Sequence, residues 1–340
     1  MTGPAPAVTE VRTAVAAGLD GIPRGRLVLA AVSGGADSLA LAAGLAFAGP
    51  RAGLRAGAVV VDHQLQPSSD AVAEAAAGAL RSLGLAPVQV VAVDVGEGGG
   101  PEAAARQARY QALRSAAADL DAAAVLLGHT LDDQAETVLL GLARGSGARS
   151  LSGMAPQTEG FRRPLLGVSR STTAACCDAL GLVPWDDPHN TERRFSRARL
   201  RHDALPALVT ALGPGVPQAL ARTARLLRDD DEALETWADE VAGRCRPAGD
   251  SEPGLDIVAL GAAPPAVRRR VIRRSLLAAG ATAGRLTAEQ VGRVDDLVGA
   301  WKGQGPVALP GGIQARRCCG RLYLDPGQDA VSPDQQRAKE

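Results

Sequence analysis

The first half of the chain alternates short apolar runs with longer amphipathic stretches. Four apolar runs are continuously hydrophobic, as expected of strands in a parallel sheet that helices cover on both faces. They span residues 27–33, 57–62, 88–94 and 123–129. A helical pattern follows each run, at residues 38–48, 70–83, 101–118 and 132–143. This rhythm predicts βαβ units and therefore an α/β fold built on a parallel sheet.

The second half of the chain has a different pattern. The segment GPGVP, residues 213–217, indicates a boundary between domains. Three long helical patterns follow it. They span residues 218–244, 265–279 and 287–301. In the segment LPGGIQARRCCGRLYL, residues 309–324, the spacing of hydrophobic positions changes from a helical to a strand-like period. Its GG predicts a turn between two short strands. We therefore expect a second, smaller domain and a flexible polar tail over residues 327–340.

The overall composition is that of an ordinary globular protein. The 340 residues contain 37 Lys+Arg and 37 Asp+Glu, with 46% hydrophobic and 22% charged residues, which excludes disordered and fibrous classes. No apolar run reaches the ~18–20 residues that span a bilayer, and the N-terminal residues lack the features of a secretory signal. We therefore expect a cytoplasmic protein without a membrane partner.

The five cysteines predict neither a disulfide framework nor a metal site. They are Cys176, Cys177, Cys245, Cys318 and Cys319. An odd number of cysteines, four of which form two adjacent pairs, is a poor basis for a set of disulfides. The C-x-x-C spacing common in zinc and iron–sulfur sites is absent. Neighbouring cysteines in a helix or strand are expected to point in different directions. We therefore expect the cysteines to be either small, buried hydrophobic residues or incidental thiols on the surface.

The most informative segment is AAVSGGADSLAL, residues 30–41. It places glycines and hydroxyls between the end of a predicted strand and the start of a predicted helix, where anions bind. Gly34 and Gly35 permit close backbone approach, and Ser33 and Ser38 supply hydroxyls. If the GG pair stood alone, an ordinary glycine turn would be the alternative to an anion-binding loop. Walker A, G-x-S-x-G and H-E-x-x-H motifs are absent, and no G-x-G-x-x-G follows the first strand.

A second segment, GHTLDDQAETVLLGLARGSG at residues 128–147, begins at the carboxyl end of the fourth predicted strand. Ligands bind at that edge of an open parallel sheet. Asp132, Asp133 and Glu136 fall within one helical turn, and by themselves they could simply complement the helix dipole. With His129 just upstream and an anion loop at the same edge, magnesium binding or capture of an amine is the favoured interpretation.

The first of these segments resembles the PP-loop of the N-type ATP pyrophosphatase superfamily. Its SGGxDS pattern matches residues 33–38 at every defined position. In that superfamily the loop holds the pyrophosphate of ATP, so the resemblance implies cleavage between the α- and β-phosphates. The ATP-binding residues that it implies are Ser33, Gly34, Gly35, Ala36, Asp37, Ser38, His63 and Arg109.

Further motifs resemble the bacterial tRNA(Ile)-lysidine synthetase family. GHxxDDQAET and RGSG are followed by GM and RPLL, and VDH, ARQARY and DDPHNTERRFSRARLRHDALP occur in the family's order. The resemblance covers residues 27–210, and LPGGI resembles the family's small C-terminal domain. The chain departs at His189 and Ala198, where the family commonly has serine and asparagine.

The resemblance implies a domain organisation. Residues 1–213 are expected to form a Rossmann-like PP-loop ATP pyrophosphatase domain of the adenine nucleotide alpha hydrolase type. Residues 214–326 are expected to form a helical linker and a small α+β domain that recognises tRNA. The sequence leaves the oligomeric state open, with a homodimer among the states allowed.

The family reaction explains why such residues are needed. ATP activates O2 of the wobble cytidine in the CAU anticodon of tRNA(Ile), and the ε-amine of free L-lysine then displaces AMP from C2. Because the reference pKa of lysine is about 10.4, the site must attract and deprotonate an ammonium. The implied catalytic residues are Asp37, Arg106, His129, Asp133 and Glu136. Asp37 and Asp132 are the implied Mg²⁺ ligands.

Two runs of arginine are candidates for tRNA contacts. The first contains Arg193, Arg194, Arg197, Arg199 and Arg201, and the second contains Arg268, Arg269, Arg270, Arg273 and Arg274. Such runs alone are usually solvated helix faces, whereas the family resemblance favours contacts with phosphate. Two other functions stay open. One is a tRNA thiolase of the same superfamily, which the missing C-x-x-C disfavours; the other is a catalytically silent tRNA-binding protein.

Overall fold

A computed structural model describes most of the chain. The described residues are 3–62, 64, 69–93, 101–145, 147–185, 193, 196–246 and 254–326. The chain divides into two compact units between Arg228 and Asp229. This division falls inside a long helix. The domain boundary that the sequence suggested after residue 213 stays a prediction.

The first unit alternates strands and helices along the chain. Its helices are α1 (Pro6–Gly18), α2 (Ala36–Arg51), α3 (Ser69–Ser82), α4 (Pro101–Asp119), α5 (Leu131–Ala143), α6 (Ala148–Leu151), α7 (Arg170–Leu180), α8 (Ser196–Arg199) and α9 (Leu205–Leu212). Its strands are β1 (Leu27–Val32), β2 (Arg55–Asp62), β3 (Val88–Ala92), β4 (Ala122–Leu127), β5 (Gln157–Thr158) and β6 (Phe161–Arg162). A 3₁₀ helix covers Pro164–Gly167, and a π-helical turn covers Leu200–Ala204. The four strands and four helices that the sequence pattern predicts are therefore all present.

The sheet of the first unit has the strand order β3-β2-β1-β4-β6-β5. β1 pairs in parallel with β2 and β4, β2 pairs in parallel with β3, and only the short β5 is antiparallel to its neighbour. The chain moves outward from β1 to β3 and then returns to the other side of β1 as β4. This reversal opens a crevice at the carboxyl ends of β1 and β4, which is where open α/β sheets bind ligands.

Apolar clusters cover both faces of this sheet. On one face, Val15 and Leu41 pack in the same cluster as Val28 of β1. On the other face, Leu113 of α4 packs with Leu29 of β1. Each fully buried Leu or Val stabilises the fold by about 1.5–3 kcal/mol. Because β1 is buried at every position, the loop that follows it rests on a rigid strand.

The longest helix, α10 (Val216–Cys245), begins in the first unit and ends in the second. No single helix among the described residues is both long and apolar enough to cross a membrane. The segment Ser196–Leu212 taken together with α10, from which it is bent by 99°, is the one described pair that meets those two criteria.

The described residues of the second unit form a small antiparallel sheet and three further helices. The helices are α11 (Ile257–Gly261), α12 (Pro265–Ala278) and α13 (Ala288–Gly299), and the strands are β7 (Leu255–Asp256), β8 (Val307–Leu309), β9 (Ile313–Cys318) and β10 (Arg321–Pro326). The strand order is β7-β10-β9-β8. Gly311 and Gly312 both have positive φ, +87° and +70°, and they form the predicted turn between β8 and β9.

Four of the five arginines of α12 are paired with carboxylates of their own unit, and Arg273 donates to the Leu286 carbonyl at 3.0 Å. Arg268 and Arg269 share Asp295, whose side chain is only 3% exposed. Arg270 and Arg274 form ion pairs with carboxylates of α10. The second predicted arginine run is therefore largely charge-balanced. These ion pairs give the run a structural role, and the tRNA contact that the sequence suggested stays a prediction.

Candidate active site

The loop between β1 and α2 has the geometry of an anion-binding turn. Gly34 has φ +86°, a conformation that L side chains rarely adopt. Gly35 is the N-cap of α2, so the first amides of the helix lack acceptors within it and are available to a ligand. The Ser33 amide donates to Ser38 Oγ at 3.2 Å, and Ser38 Oγ donates to the Gly35 carbonyl at 2.8 Å. These bonds hold the loop in its curved form.

Two close contacts fix this loop against its surroundings. The Trp185 amide donates to the Gly34 carbonyl at 3.0 Å. A Cβ added at Gly128 would lie 3.1 Å from the carbonyl oxygen of Asp37, so the chain after β4 passes directly against the start of α2. The absence of a side chain at Gly128 thus lets the two sequence motifs meet at one edge of the sheet.

Asp133 has a structural task at the start of α5. Its Oδ2 accepts a hydrogen bond from the Thr130 amide at 2.8 Å, and its own amide donates to Thr130 Oγ1 at 3.4 Å. This reciprocal pair is a capping box, which satisfies amides that the helix leaves without acceptors. The other carboxylate oxygen, Oδ1, faces the site. Asp133 therefore serves both the helix and the site.

Gln134 explains why the motif on α5 occurs together with Gly153 and Met154. Its side-chain amide donates to the Met154 carbonyl at 2.9 Å and accepts from the Met154 amide at 2.7 Å. A Cβ at Gly153 would lie 2.5 Å from Gln134 Oε1, so only glycine fits there. These contacts fix α5 against the segment that contains Gly153 and Met154, so the three residues have a structural function.

Arg170, at the start of α7, lies at the centre of the site, although no sequence motif pointed to it. Its Nη2 lies 2.9 Å from Asp133 Oδ1 and 3.4 Å from Glu136 Oε1, and its Nε lies 3.5 Å from Asp37 Oδ2. Its backbone amide donates to Asp132 Oδ2 at 2.8 Å. One residue thus joins the four carboxylates that the two motifs supply.

Arg201 is also part of this carboxylate group. Its Nε lies 2.9 Å from Glu136 Oε1 and its Nη2 lies 3.4 Å from Asp133 Oδ1. In the sequence, Arg201 stands in a run of arginines and is therefore a predicted tRNA contact. In the structure two carboxylates at the sheet edge engage the Arg201 guanidinium, and its contact with tRNA stays a prediction.

The other arginines of this run have different surroundings. Arg193 is 70% exposed and pairs with Asp203 at 3.3 Å, and Arg197 donates to Thr137 Oγ1 at 3.4 Å. Arg199 is exposed at the end of α8, next to the buried Ala198. The predicted ligands His63 and Arg194 lie outside the described residues.

The carboxylates of the site differ in their protonation chemistry. Burial pushes the pKa of Asp133 upward, but the Arg170 guanidinium and the Thr130 amide outweigh it and hold that pKa below the usual range. Burial raises the pKa of Asp37, although a hydrogen bond from the Thr173 hydroxyl and the charge of Arg170 oppose the shift. Four carboxylates surround two guanidiniums, so the group keeps an excess of negative charge that suits a cationic substrate.

His129 lies among positive groups at the end of β4. Burial lowers its pKa to about 3; Asp133 opposes this shift, and Arg109, Arg163 and Arg106 add to it. The imidazole is therefore neutral at physiological pH. Its buried Nδ1 has no hydrogen-bond partner among the described residues. This makes His129 a weak base and leaves a buried nitrogen available to a ligand.

Tyr110 connects the arginines that surround His129. Arg106 Nη2 and Arg163 Nη2 each donate to its hydroxyl at 3.4 Å. Burial lowers the pKa of Arg109, and the nearby Arg106 adds to this effect. No described carboxylate forms an ion pair with Arg106, Arg109 or Arg163. Arg163 is buried and Arg109 is partly buried, whereas Arg106 is exposed. Cations without a counter-ion among the described residues favour an anionic ligand, and the sequence alone indicated no role for Arg163.

The donor set fits a magnesium ion that a nucleotide helps to hold. Among the residues that the structure describes, no group of three or more His, Cys, Asp or Glu could hold a metal ion alone. Mg²⁺ at phosphate sites needs only one or two carboxylates, because phosphate oxygens and water complete its shell. Asp37 stands on the first turn of α2 beside the loop, and Asp132 keeps one oxygen that the Arg170 amide does not occupy. Both residues are suitable ligands of that kind.

Comparisons with known proteins agree with this geometry. A family model described as a PP-loop domain matches residues 9–208, and a model described as the TilS substrate binding domain matches residues 255–323. The chain is therefore a PP-loop protein with an attached substrate-binding domain. It is 57% identical over 310 residues to the tRNA(Ile)-lysidine synthase of Streptomyces coelicolor, covering 90% of this chain and 87% of the relative. The chain belongs to the tRNA(Ile)-lysidine synthase family.

Other similar proteins support the family and the fold. The tRNA(Ile)-lysidine synthase of Thermobifida fusca is 54% identical over 324 residues, covering 95% of this chain and 99% of the relative. Among solved structures, the U34-tRNA thiolase NcsA of Methanococcus maripaludis, solved with its iron–sulfur cluster, matches with a TM-score of 0.55 and 19% identity. That match covers 65% of this chain and 80% of the thiolase, and it supports the fold alone.

Proposed function

We propose that this chain is an ATP-dependent ligase that forms lysidine in tRNA(Ile). ATP adenylates O2 of the wobble cytidine in the CAU anticodon, and the ε-amine of L-lysine then displaces AMP from C2. The product decodes AUA in place of AUG. The observation that carries the proposal is the meeting of an anion-binding loop, residues 33–38, with the carboxylates Asp133 and Glu136 at one sheet edge.

The first step needs groups that bind ATP and neutralise the departing pyrophosphate. The amides at the start of α2 and the hydroxyls of Ser33 and Ser38 are placed to bind the phosphates. Arg106 and Arg109 add positive charge where no described carboxylate cancels it. When bound to Asp37 and Asp132, Mg²⁺ supplies further charge neutralisation.

The second step needs a lysine amine that has lost its proton. Asp133 and Glu136 are the carboxylates that attract the ammonium. Carboxylates alone would stabilise the charged, unreactive form of lysine, because an opposite charge favours ionisation. Arg170 and Arg201 share these carboxylates at 2.9–3.4 Å and so reduce that stabilisation. The site can then bind lysine without fully stabilising the charged form of its amine.

His129 has a different part in this proposal. An imidazole whose burial lowers its pKa to about 3 is a weak base towards an ammonium. Its unpartnered Nδ1 is suited to a hydrogen bond with the nucleotide or the target base. We assign His129 to binding and orientation.

The two alternative functions are less well supported. A thiolase needs a reactive thiol or a cluster, yet Cys177 beside the loop is buried, and burial raises its pKa to about 12. A silent tRNA-binding protein would not need the loop and the carboxylates to meet. Both alternatives make clear predictions in the same assay.

The assay is incorporation of radiolabelled lysine into transcripts of tRNA(Ile) and tRNA(Met), with ATP and Mg²⁺ present. We expect labelled tRNA(Ile), AMP and pyrophosphate in equal amounts, and no label in tRNA(Met). A thiolase would incorporate no lysine. A silent binding protein would retain tRNA(Ile) without releasing AMP, and either result would contradict the proposal.

A further inference from the structure

The hairpin between β9 and β10 ends in two exposed thiols. Cys318 is the last residue of β9 and Cys319 is the first residue of the turn, and both are exposed. Their Sγ atoms lie 3.1 Å apart. Nothing in the proposed reaction uses them, because the reaction site lies in the first unit.

The turn explains why these two thiols lie close together. Arg321 pairs with Cys318 across the hairpin, so Cys319 and Gly320 form a two-residue turn. Both have positive φ, +50° and +78°, which defines a type I′ turn. The change of backbone conformation at Cys319 ends the strand's alternation, and its thiol lies beside that of Cys318. Because Cys319 lies in the turn, this pair falls outside the expectation for neighbouring cysteines within a helix or strand.

We propose that Cys318 and Cys319 form an oxidant-responsive dithiol site. One thiolate attacks hydrogen peroxide, so that an S–O bond forms, the O–O bond breaks and one water leaves. The second thiol then attacks that sulfur, so that an S–S bond forms, the S–O bond breaks and a second water leaves. Two thiols are thereby oxidised to one disulfide, and one peroxide is reduced to two waters.

Adjacent residues make this modification reversible. Neighbouring Cα atoms are about 3.8 Å apart across a trans peptide, whereas most disulfides join Cα atoms about 4.4–6.8 Å apart. A disulfide between adjacent residues is therefore strained, and a strained, exposed disulfide is more easily reduced. We expect cellular dithiol reductants to restore the two thiols.

The same chain contains a matched control pair. Cys176 and Cys177 are also adjacent, but they lie on α7 and are fully buried. The Cys177 thiol donates to the Ala36 carbonyl at 3.3 Å, and burial raises the pKa of Cys245 to about 11. Both pairs are thus adjacent in sequence, but Cys318 and Cys319 are exposed, whereas Cys176 and Cys177 are buried.

The first test uses a trivalent arsenical, phenylarsine oxide, which bridges two thiols and releases one water. We expect the full-length folded protein to bind one equivalent, mapped by mass spectrometry to the peptide that contains Cys318 and Cys319. Cys318→Ser and Cys319→Ser should each weaken retention by about a hundredfold, because the second bond is intramolecular. Equal retention by either single variant would overturn the proposal.

The second test uses hydrogen peroxide on the same full-length protein. We expect the peptide with Cys318 and Cys319 to lose two hydrogens and to regain them with dithiothreitol, while the peptide with Cys176 and Cys177 stays unchanged. Separate sulfinic or sulfonic acids on the exposed pair, without a disulfide, would overturn the proposal. Neither test depends on tRNA modification, so the site stands or fails independently of the proposed function.

Discussion

Replacing Glu136 by glutamine is expected to stop lysine transfer while tRNA adenylation continues. Glu136 is fully buried, and Arg170 and Arg201 contact its carboxylate at 3.4 Å and 2.9 Å. Glutamine keeps the size of the side chain but removes its charge, so the two guanidiniums then repel an ammonium. We expect lysine incorporation to fall by about 10²–10⁴-fold, the range for loss of a positioned acid or base.

The measurement follows both half-reactions with Glu136→Gln enzyme. Radiolabelled lysine reports the second step, and α-labelled ATP reports adenylate that stays attached to tRNA(Ile) after acid quenching. Glu235→Gln is the matched control, because Glu235 also lies between two arginines, each at 3.4 Å, in the second unit. A normal rate of lysine incorporation by Glu136→Gln, with the protein folded, would remove Glu136 from the lysine step.

Replacing Asp37 by asparagine is expected to abolish release of AMP. Asp37 stands on the first turn of α2, accepts a hydrogen bond from Thr173 and faces Arg170 Nε at 3.5 Å. Asparagine keeps the shape but removes the negative charge that we assign to holding Mg²⁺ beside the phosphates. Loss of such charge stabilisation is expected to slow the step by about 10³-fold or more.

The test measures AMP formed from α-labelled ATP in the presence of tRNA(Ile) and lysine. Asp121→Asn is the control, because Asp121 is an exposed partner of Arg26 at 3.0 Å and has φ +47°, which asparagine tolerates. That variant should keep the wild-type rate. If Asp37→Asn also kept it, the assignment of the loop to ATP would be wrong.

The strands were predictable because their physical cause is local. β1 is buried at every position and β4 at its last four, so both sequences are continuous apolar runs. β3 is only partly buried and contains Gln89, but it is still mostly apolar. Helix α7 was not predicted. Its sequence, RSTTAACCDAL, is mostly small and polar, so it carries little hydrophobic period, and its helical state depends on packing. β5 and β6 have two residues each, too few to show a period.

The candidate site was predictable only in part, for a related reason. Asp133 and Glu136 lie in one short motif, so their chemistry could be inferred from their spacing. Arg170 and Arg201 reach the same carboxylates across more than thirty intervening residues. An arginine at a helix start carries no chemical signal in sequence. The arginine neighbours of Arg201 suggested a surface that binds phosphate and gave no sign of its ion pairs with Glu136 and Asp133.

The most direct test of the account is a crystal structure of the protein with Mg²⁺, lysine and an ATP analogue that resists cleavage between the α- and β-phosphates. We expect the β- and γ-phosphates against the amides of residues 33–38, and the lysine ε-nitrogen within hydrogen-bonding distance of Asp133 or Glu136. Phosphates bound away from that loop, or a lysine side chain bound away from both carboxylates, would contradict it.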